Sequence, residues 1–152
     1  MLNNAGMVSF SNTMDISLEE WDRVMQVNVT SALLLSKKVA PIMKEKGKGS
    51  IINTGSIAGI SAKYGPVAYC TSKHALNGIT KALAREFGPQ IRVNAILPGA
   101  ILTAMVENIG GEAALSGMIE ATSLKRIGTG KEIGTTALFS LLTTHLISPG
   151  NF

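Results

Sequence analysis

Apolar residues are distributed along this chain in two different rhythms. Long stretches repeat them at helical spacing: Leu18, Trp21, Met25, Val29, Ala32 and Leu33 in one, and Ala75, Leu76, Ile79, Leu83 and Phe87 in another. A recurrence at three and four residues places one apolar stripe on a helix, so helices are expected from Leu18 to about Met43 and from about Val67 to Phe87. Ser17-Leu18-Glu19-Glu20 supplies a capping box for the first, and Gly88-Pro89 stops the second. A last helix is expected from Lys131 to Leu142, with Ile133, Ala137 and Leu141 on one face. Between these lie short segments with apolar residues at their centre, Ser50 to Asn53 and Ile91 to Leu97, which read as buried strands. Met1 to Gly6 reads as the last residues of a strand and the turn that follows it, and residues 7 to 16 as loop.

Strand, long helix, strand, long helix, strand is the order of a parallel sheet wound with crossover helices. In such sheets ligands bind beyond the carboxyl ends of the strands. Asn4, Ser56 and Pro98-Gly99 all fall at those ends, so three separate segments converge on one rim. From Ala100 to about Arg126 the chain is rich in Ala, Met, Leu and Ile, with Gly110-Gly111 in its middle. It reads as short helices on flexible joints, either a flap over a small substrate or an irregular surface excursion. The chain then ends at SPGNF with no strand expected there, and no internal repeat is visible.

Composition narrows the function classes. A chain of 152 residues with 45 % hydrophobic and 16 % charged content fits one α/β domain and excludes disorder. The formal charge of +4 is spread along the sequence, with only Lys44 to Lys48 as a small cluster, and aromatic residues are 5 %. A nucleic-acid surface is therefore not expected. The single cysteine, Cys70, leaves no internal disulfide and suits a reducing, cytoplasmic setting. His74 and His145 have no partners at ligand spacing, so no metal site is read. No apolar run reaches the ~18 residues of a membrane span, and no signal peptide is visible at the start.

The candidate chemistry lies in Thr54 to Lys73, TGSIAGISAKYGPVAYCTSK. Tyr69 and Lys73 are four apart and share a helix face, which places an ammonium beside a phenol. A fixed positive charge favours phenolate and makes a group of ordinary pKa about 10 useful for proton transfer. The alternative is a solvated helix face. Ser56, thirteen residues before Tyr69, follows a strand end and faces the same rim. Asn28 lies on the apolar stripe of the first helix and needs partners, either as a structural amide or as part of a site. Thr54-Gly55-Ser56-Ile57-Ala58-Gly59 imitates a dinucleotide-binding glycine loop. Gly59, Gly65 and Pro66 interrupt any helix there, and no acidic residue follows until Glu86, so it is read as a decoy.

Several motifs together resemble the short-chain dehydrogenase/reductase family, in matching order over nearly the whole chain. They are Asn3-Asn4-Ala5-Gly6, Asn28 within VNVTSALL, Ser56 before Tyr69-Cys70-Thr71-Ser72-Lys73, Ile91-Arg92-Val93-Asn94, and Pro98-Gly99 with Thr103. The resemblance implies an α/β fold with a Rossmann-type parallel sheet. It also implies hydride transfer between NAD or NADP and a small-molecule alcohol or carbonyl substrate. By it Tyr69 is the general acid/base, and Lys73 lowers its pKa and holds the nicotinamide ribose. Ser56 polarises the substrate carbonyl, and Asn28 supports a water leading protons to Lys73. Asn4 contacts the cofactor, and Ile101 and Thr103 hold its carboxamide.

Against the family pattern, the glycine loop and strands of the N-terminal dinucleotide-binding half do not precede Met1, nor does a further strand follow the last helix. Residues 1–152 are accordingly expected to form a single partial Rossmann-type domain, the catalytic half, with three adjacent strands. Two readings follow. One is an NAD(P)-dependent oxidoreductase, homo-oligomeric when complete and inactive as this chain alone. The other is a non-catalytic short product that associates with full-length subunits through its two long helices.

Overall fold

The computed structural model describes residues 1–108 and 110–142. Three parallel strands form the central sheet: β1 (Leu2–Asn3), β2 (Gly49–Thr54) and β3 (Ile91–Ile96), in that spatial order. Two long helical connections join them. The first consists of α1 (Leu18–Met25), a π-helical turn (Gln26–Thr30) and α2 (Ser31–Glu45); the second is α3 (Val67–Phe87). Beyond β3 the chain forms β4 (Ile101–Leu102), the short helices α4 (Ala104–Glu107), α5 (Gly111–Ala114) and α6 (Ser116–Ala121), β5 (Gly128–Thr129) and α7 (Gly130–Leu142). This is the expected Rossmann-type architecture. The expected terminal SPGNF segment, and His145, lie outside the described residues.

Side-chain alternation along the strands divides the two faces of the sheet. Ile51, Ile91 and Val93 pack with Ala40, Leu83 and Phe87 in one core cluster, beneath α2 and α3. Asn53, two residues on from Ile51, points the same way and donates to Thr80 Oγ1 of α3 at 2.8 Å. On the other face, Arg92 reaches α7 and donates to the carbonyls of Ser140 and Leu141 at 3.0 and 3.1 Å. A guanidinium there satisfies acceptors that the end of a helix leaves unpaired.

The structure corrects three expectations. The helix from Leu18 to Met43 is not continuous: Gln26–Thr30 is a π turn. Its wider turn shifts the inward face to Val24, Asn28, Ala32, Ser36 and Ala40, spaced by four. Leu18 and Leu33, expected on the buried stripe, are 82 % and 42 % exposed. Only half of the capping box forms, because Ser17 Oγ accepts from Glu20 N at 3.1 Å while the Glu20 carboxylate turns to the hydroxyls of Ser9 and Ser11. Finally, Ala100 to Arg126 holds more than short helices: β4 pairs in parallel with β5, Ile101 opposite Gly128 and Leu102 opposite Thr129. Two-residue strands lack the alternation that would announce them.

Close approach of the loop after β2 to α3 depends on glycine. A Cβ at Gly59 would sit 2.7 Å from both Asn77 Nδ2 and Lys73 O, the latter fixed helix backbone. Gly78, one residue beyond Asn77 on α3, has nothing within 4 Å of its would-be Cβ. Gly59→Ala is expected to cost about 1–3 kcal/mol through overpacking, and Gly78→Ala to gain roughly 0.5–1 kcal/mol of helix stability. Thermal or urea denaturation of the two variants checks the opposite signs.

Candidate active site

Pro66 precedes the first turn of α3 in extended geometry, so the helix begins at Val67 and carries Tyr69 and Lys73 one turn apart. Lys73 Nζ lies 5.6 Å from the centroid of the Tyr69 ring. The lysine is 4 % exposed, and its ammonium donates to the Thr54 carbonyl at the end of β2, at 2.9 Å. Thr54 in turn donates its hydroxyl to Asn4 Oδ1 at 3.0 Å. Two strand ends and α3 are thus tied at one point, and the solvated-face alternative for Tyr69 and Lys73 falls.

Ser56 sits in extended backbone on the loop that leaves β2, and its Oγ accepts from Ala58 N at 3.1 Å. Two short 3-10 turns, Ile57–Gly59 and Ala62–Tyr64, follow before α3 instead of a helix opening from the glycine run, which agrees with its decoy reading. The loop is fixed from both sides. Gly55 N donates to Ile96 O at 2.8 Å and Ile57 N to Pro98 O at 3.0 Å, while Asn77 Nδ2 donates to Gly59 O at 2.9 Å. Asn77, on the polar row of α3, is therefore the clamp between the Ser56 loop and the helix bearing Tyr69 and Lys73.

Asn28 is placed differently. Its Oδ1 accepts from Met7 N at 2.8 Å, and its Nδ2 donates to Met7 O at 2.8 Å and to Ser72 Oγ at 2.9 Å. Ser72 passes its own proton to Tyr69 O at 2.8 Å. The carboxamide is spent on the loop after β1 and on α3, so the structural-amide alternative describes these contacts. It still borders the site, since a Cβ at Gly6 would lie 3.5 Å from both Asn28 Oδ1 and Lys73 Nζ.

Burial governs the electrostatics. It lowers the Lys73 ammonium from 10.5 to about 8, because the charged form loses water. It raises the Tyr69 phenol, against a smaller opposing pull from a hydrogen bond with Ser56. Burial likewise pushes the Cys70 thiol up, and its Sγ donates to Gly65 O at 3.1 Å, which makes it a packing group.

A cleft of ≈ 650 Å³ opens at the carboxyl ends of the strands. Asn4, Ser56, Tyr69, Lys73, Ile101 and Thr103 all line it; Asn28 does not, lining instead a smaller cavity of ≈ 140 Å³ with Leu2, Asn3 and Leu35. Met105 and Val106 of α4, Met118 of α6 and Leu115 at the junction of α5 and α6 line the large cleft. The cleft walls also include Phe10 and Tyr64, which sequence reading did not single out. Phe10 lies in the loop before α1 and Tyr64 ends the short 3-10 turn Ala62–Tyr64, and only the position of Tyr64 five residues before Tyr69 was available as a signal. Among the described residues, no group of three or more His, Cys, Asp or Glu side chains could hold a metal, and no helix is long and apolar enough to cross a membrane.

Comparison with known proteins agrees with this fold. A family model described as enoyl-(acyl carrier protein) reductase matches residues 1–145. The chain is 39 % identical to a 3alpha-hydroxysteroid dehydrogenase of Mediterraneibacter gnavus over 91 % of its own length and 56 % of the relative's. It is 36 % identical to a cyclopentanol dehydrogenase of Comamonas testosteroni, with 91 % and 56 % covered. Among solved structures, a 4-hydroxyisoleucine dehydrogenase mutant complexed with NADH and succinate superposes with a TM-score of 0.84 at 38 % identity, covering 91 % of this chain and 58 % of that one. The chain thus spans somewhat over half the length of the relatives it matches. From the rim of its sheet to the order of its motifs, the chain belongs to the short-chain dehydrogenase/reductase family.

Proposed function

We propose that residues 1–152 act as one domain carrying the catalytic groups of an oxidoreductase that interconverts an alcohol and a carbonyl compound with NAD or NADP. The observation that carries this reading is the buried Lys73 ammonium beside Tyr69 at the floor of the cleft. The names of the relatives, dehydrogenases of hydroxysteroids and of cyclopentanol, support the reaction class.

The residues fit a nicotinamide dinucleotide. An ammonium has three donors, and the bond to Thr54 O occupies one; the others are available to ribose hydroxyls. Gly6 has no side chain to fill the space beside Nζ. Asn4, Ile101 and Thr103 line the same cleft, and the Thr103 hydroxyl makes no capping bond to α4. When bound, the nicotinamide supplies the hydride acceptor or donor.

The chain's own residues handle the proton. Tyr69 Oη takes the hydroxyl proton of an alcohol or returns it to a carbonyl oxygen. Ser56 Oγ donates to that oxygen and holds it beside Tyr69. Lys73 stabilises the phenolate during transfer through its charge. Asn28 positions these groups by locking Ser72 to Tyr69 O and the loop at Met7, and so keeps a proton path to Lys73 open at Gly6.

Tyr69→Phe, which removes only Oη, should abolish turnover, with a loss of about 10²-fold or more in kcat. Cofactor affinity measured by calorimetry should change little. Turnover that survives the substitution would remove Tyr69 from its role.

The Lys73 shift predicts a pH dependence of stability. A lysine whose folded pKa is lowered binds fewer protons folded than unfolded, so its contribution rises with pH, here from about 8 toward 10.5. The raised Cys70 thiol and Tyr69 phenol work in the opposite direction once pH passes their ordinary values of 9.0 and 10.0. Between pH 8 and 10 the lysine should dominate, with a full effect on the order of 3 kcal/mol. Lys73→Met should remove this rise, as measured by urea denaturation across that range. An unchanged slope would show that the ammonium is not desolvated.

A further inference from the structure

We infer that Phe10 is a wall of the cleft in contact with the substrate, and that Glu20 of α1 is the residue that positions it. The inference rests on the oxidoreductase reading for the occupant, the carbon skeleton of an alcohol or carbonyl compound, and adds a specificity-determining residue to it.

From the end of β1 the chain shows its residues alternately to two sides. Asn4, Gly6, Val8 and Phe10 line the cleft. Asn3, Met7 and Ser9 are tied instead to the body of the protein. Asn3 Nδ2 donates to Asn53 Oδ1 at 2.8 Å, Met7 bonds Asn28 through both its N–H and its carbonyl, and Ser9 is 4 % exposed. A period of two is that of an extended chain, and here it ends the wall on an aromatic ring.

At Phe10 one carboxylate enforces the alternation. Ser9 Oγ donates to Glu20 Oε1 at 2.5 Å, and the Ser11 hydroxyl is shared between Oε1 and Oε2 at 3.0 and 2.9 Å. Ser11 N also donates to Ser9 Oγ at 3.2 Å. The two hydroxyls flanking Phe10 therefore point to α1, and the ring is left the side on which the cleft lies. Hydrogen bonds to a carboxylate are stronger than those between neutral groups. Phe10 lies outside the core cluster formed by α2, α3 and the sheet, so this clamp takes the part that core packing plays for a buried ring.

The same carboxylate forgoes a nearer partner. As the third residue of α1, Glu20 stands where a capping box would return it to the backbone N–H of Ser17, yet only the Ser17 half of that box forms. A local rule broken in this way points to a group used elsewhere. Glu20 is not among the residues lining the cleft, so it acts through Phe10.

The test is steady-state reduction of cyclohexanone by the purified protein with saturating NADH or NADPH, in the wild type, Phe10→Ala, Glu20→Ala, Glu20→Gln and the double Ala variant. Phe10→Ala should raise KM about tenfold and leave kcat within about twofold, the pattern of a contact made equally in ground and transition states. Glu20→Ala should raise KM to the same degree, and Glu20→Gln, which keeps an acceptor oxygen, should recover most of it. The double variant should be no worse than Phe10→Ala, because a group acting through another adds nothing once that other is gone. An unmoved KM in Phe10→Ala would overturn the wall, and additive effects would overturn Glu20 as its positioner.

A second arm needs no turnover: fluorine NMR of protein carrying 4-fluorophenylalanine, with the Phe10 signal assigned by its loss in Phe10→Leu. Cyclohexanone should shift that signal, and Glu20→Ala should move it without ligand while the signal of the core residue Phe87 stays in place. Ser9→Ala/Ser11→Ala removes the same bonds from the other side and should reproduce the Glu20→Ala result; it decides the matter if Glu20→Ala also moves the Phe87 signal. A Phe10 signal that answers to the ketone in a protein without turnover would support the wall while the oxidoreductase reading fails. A signal indifferent to the ketone would overturn the wall, and one indifferent to loss of the clamp would overturn the role of Glu20.

Discussion

The site depends on taking one ammonium out of water. Lys73 is 4 % exposed and lies against the end of β2, a position costly for a charge unless its donors are met. That requirement organises its neighbours. Thr54 supplies a carbonyl acceptor and passes its hydroxyl to Asn4, which binds the loop after β1 to the strand. Gly6 leaves the space beside Nζ open. The same burial brings Lys73 down to about 8 and pushes Tyr69 up. Each group is thereby held closer to its neutral form than in water, and a charge arriving in the cleft shifts both.

Much of this architecture was legible from pattern. Helix α3 follows directly from its apolar spacing, and β2 and β3 from short buried runs, because in each the period of the sequence matches the period of the structure. Tyr69 and Lys73 could be placed on one face for the same reason. The first helix was less legible: the π turn at Gln26–Thr30 changes the residues per turn, so a 3.6-residue template carried across it misplaces Leu33. The β4–β5 ladder escaped because two-residue strands carry no period at all.

Asn28 shows where sequence reasoning stops short of geometry. An amide on a buried stripe announces a need for partners but not which ones. The structure gives it Met7 and Ser72, through which it reaches the backbone of Tyr69. It therefore ties the loop after β1 to α3 at the backbone of Tyr69. Asn77 belongs to the same class: it clamps Gly59 while its Oδ1 remains buried without a partner. A row of polar residues on α3 thus separates into groups facing the cleft and groups bracing the Ser56 loop.

The bracing explains why the loop after β2 combines glycines with a serine. Gly55 and Gly59 flank the segment where Ser56 must face Tyr69, and a Cβ at Gly55 would lie 2.4 Å from Leu97 and 3.3 Å from Asn77 Oδ1. Only a chain without side chains at those two points can pass between β3 and α3 closely enough to bring Ser56 to the phenol. The run that imitates a phosphate-binding loop therefore has glycines for a different physical reason: close packing of backbone on a helix already begun elsewhere, not the approach of a pyrophosphate to a helix N-terminus.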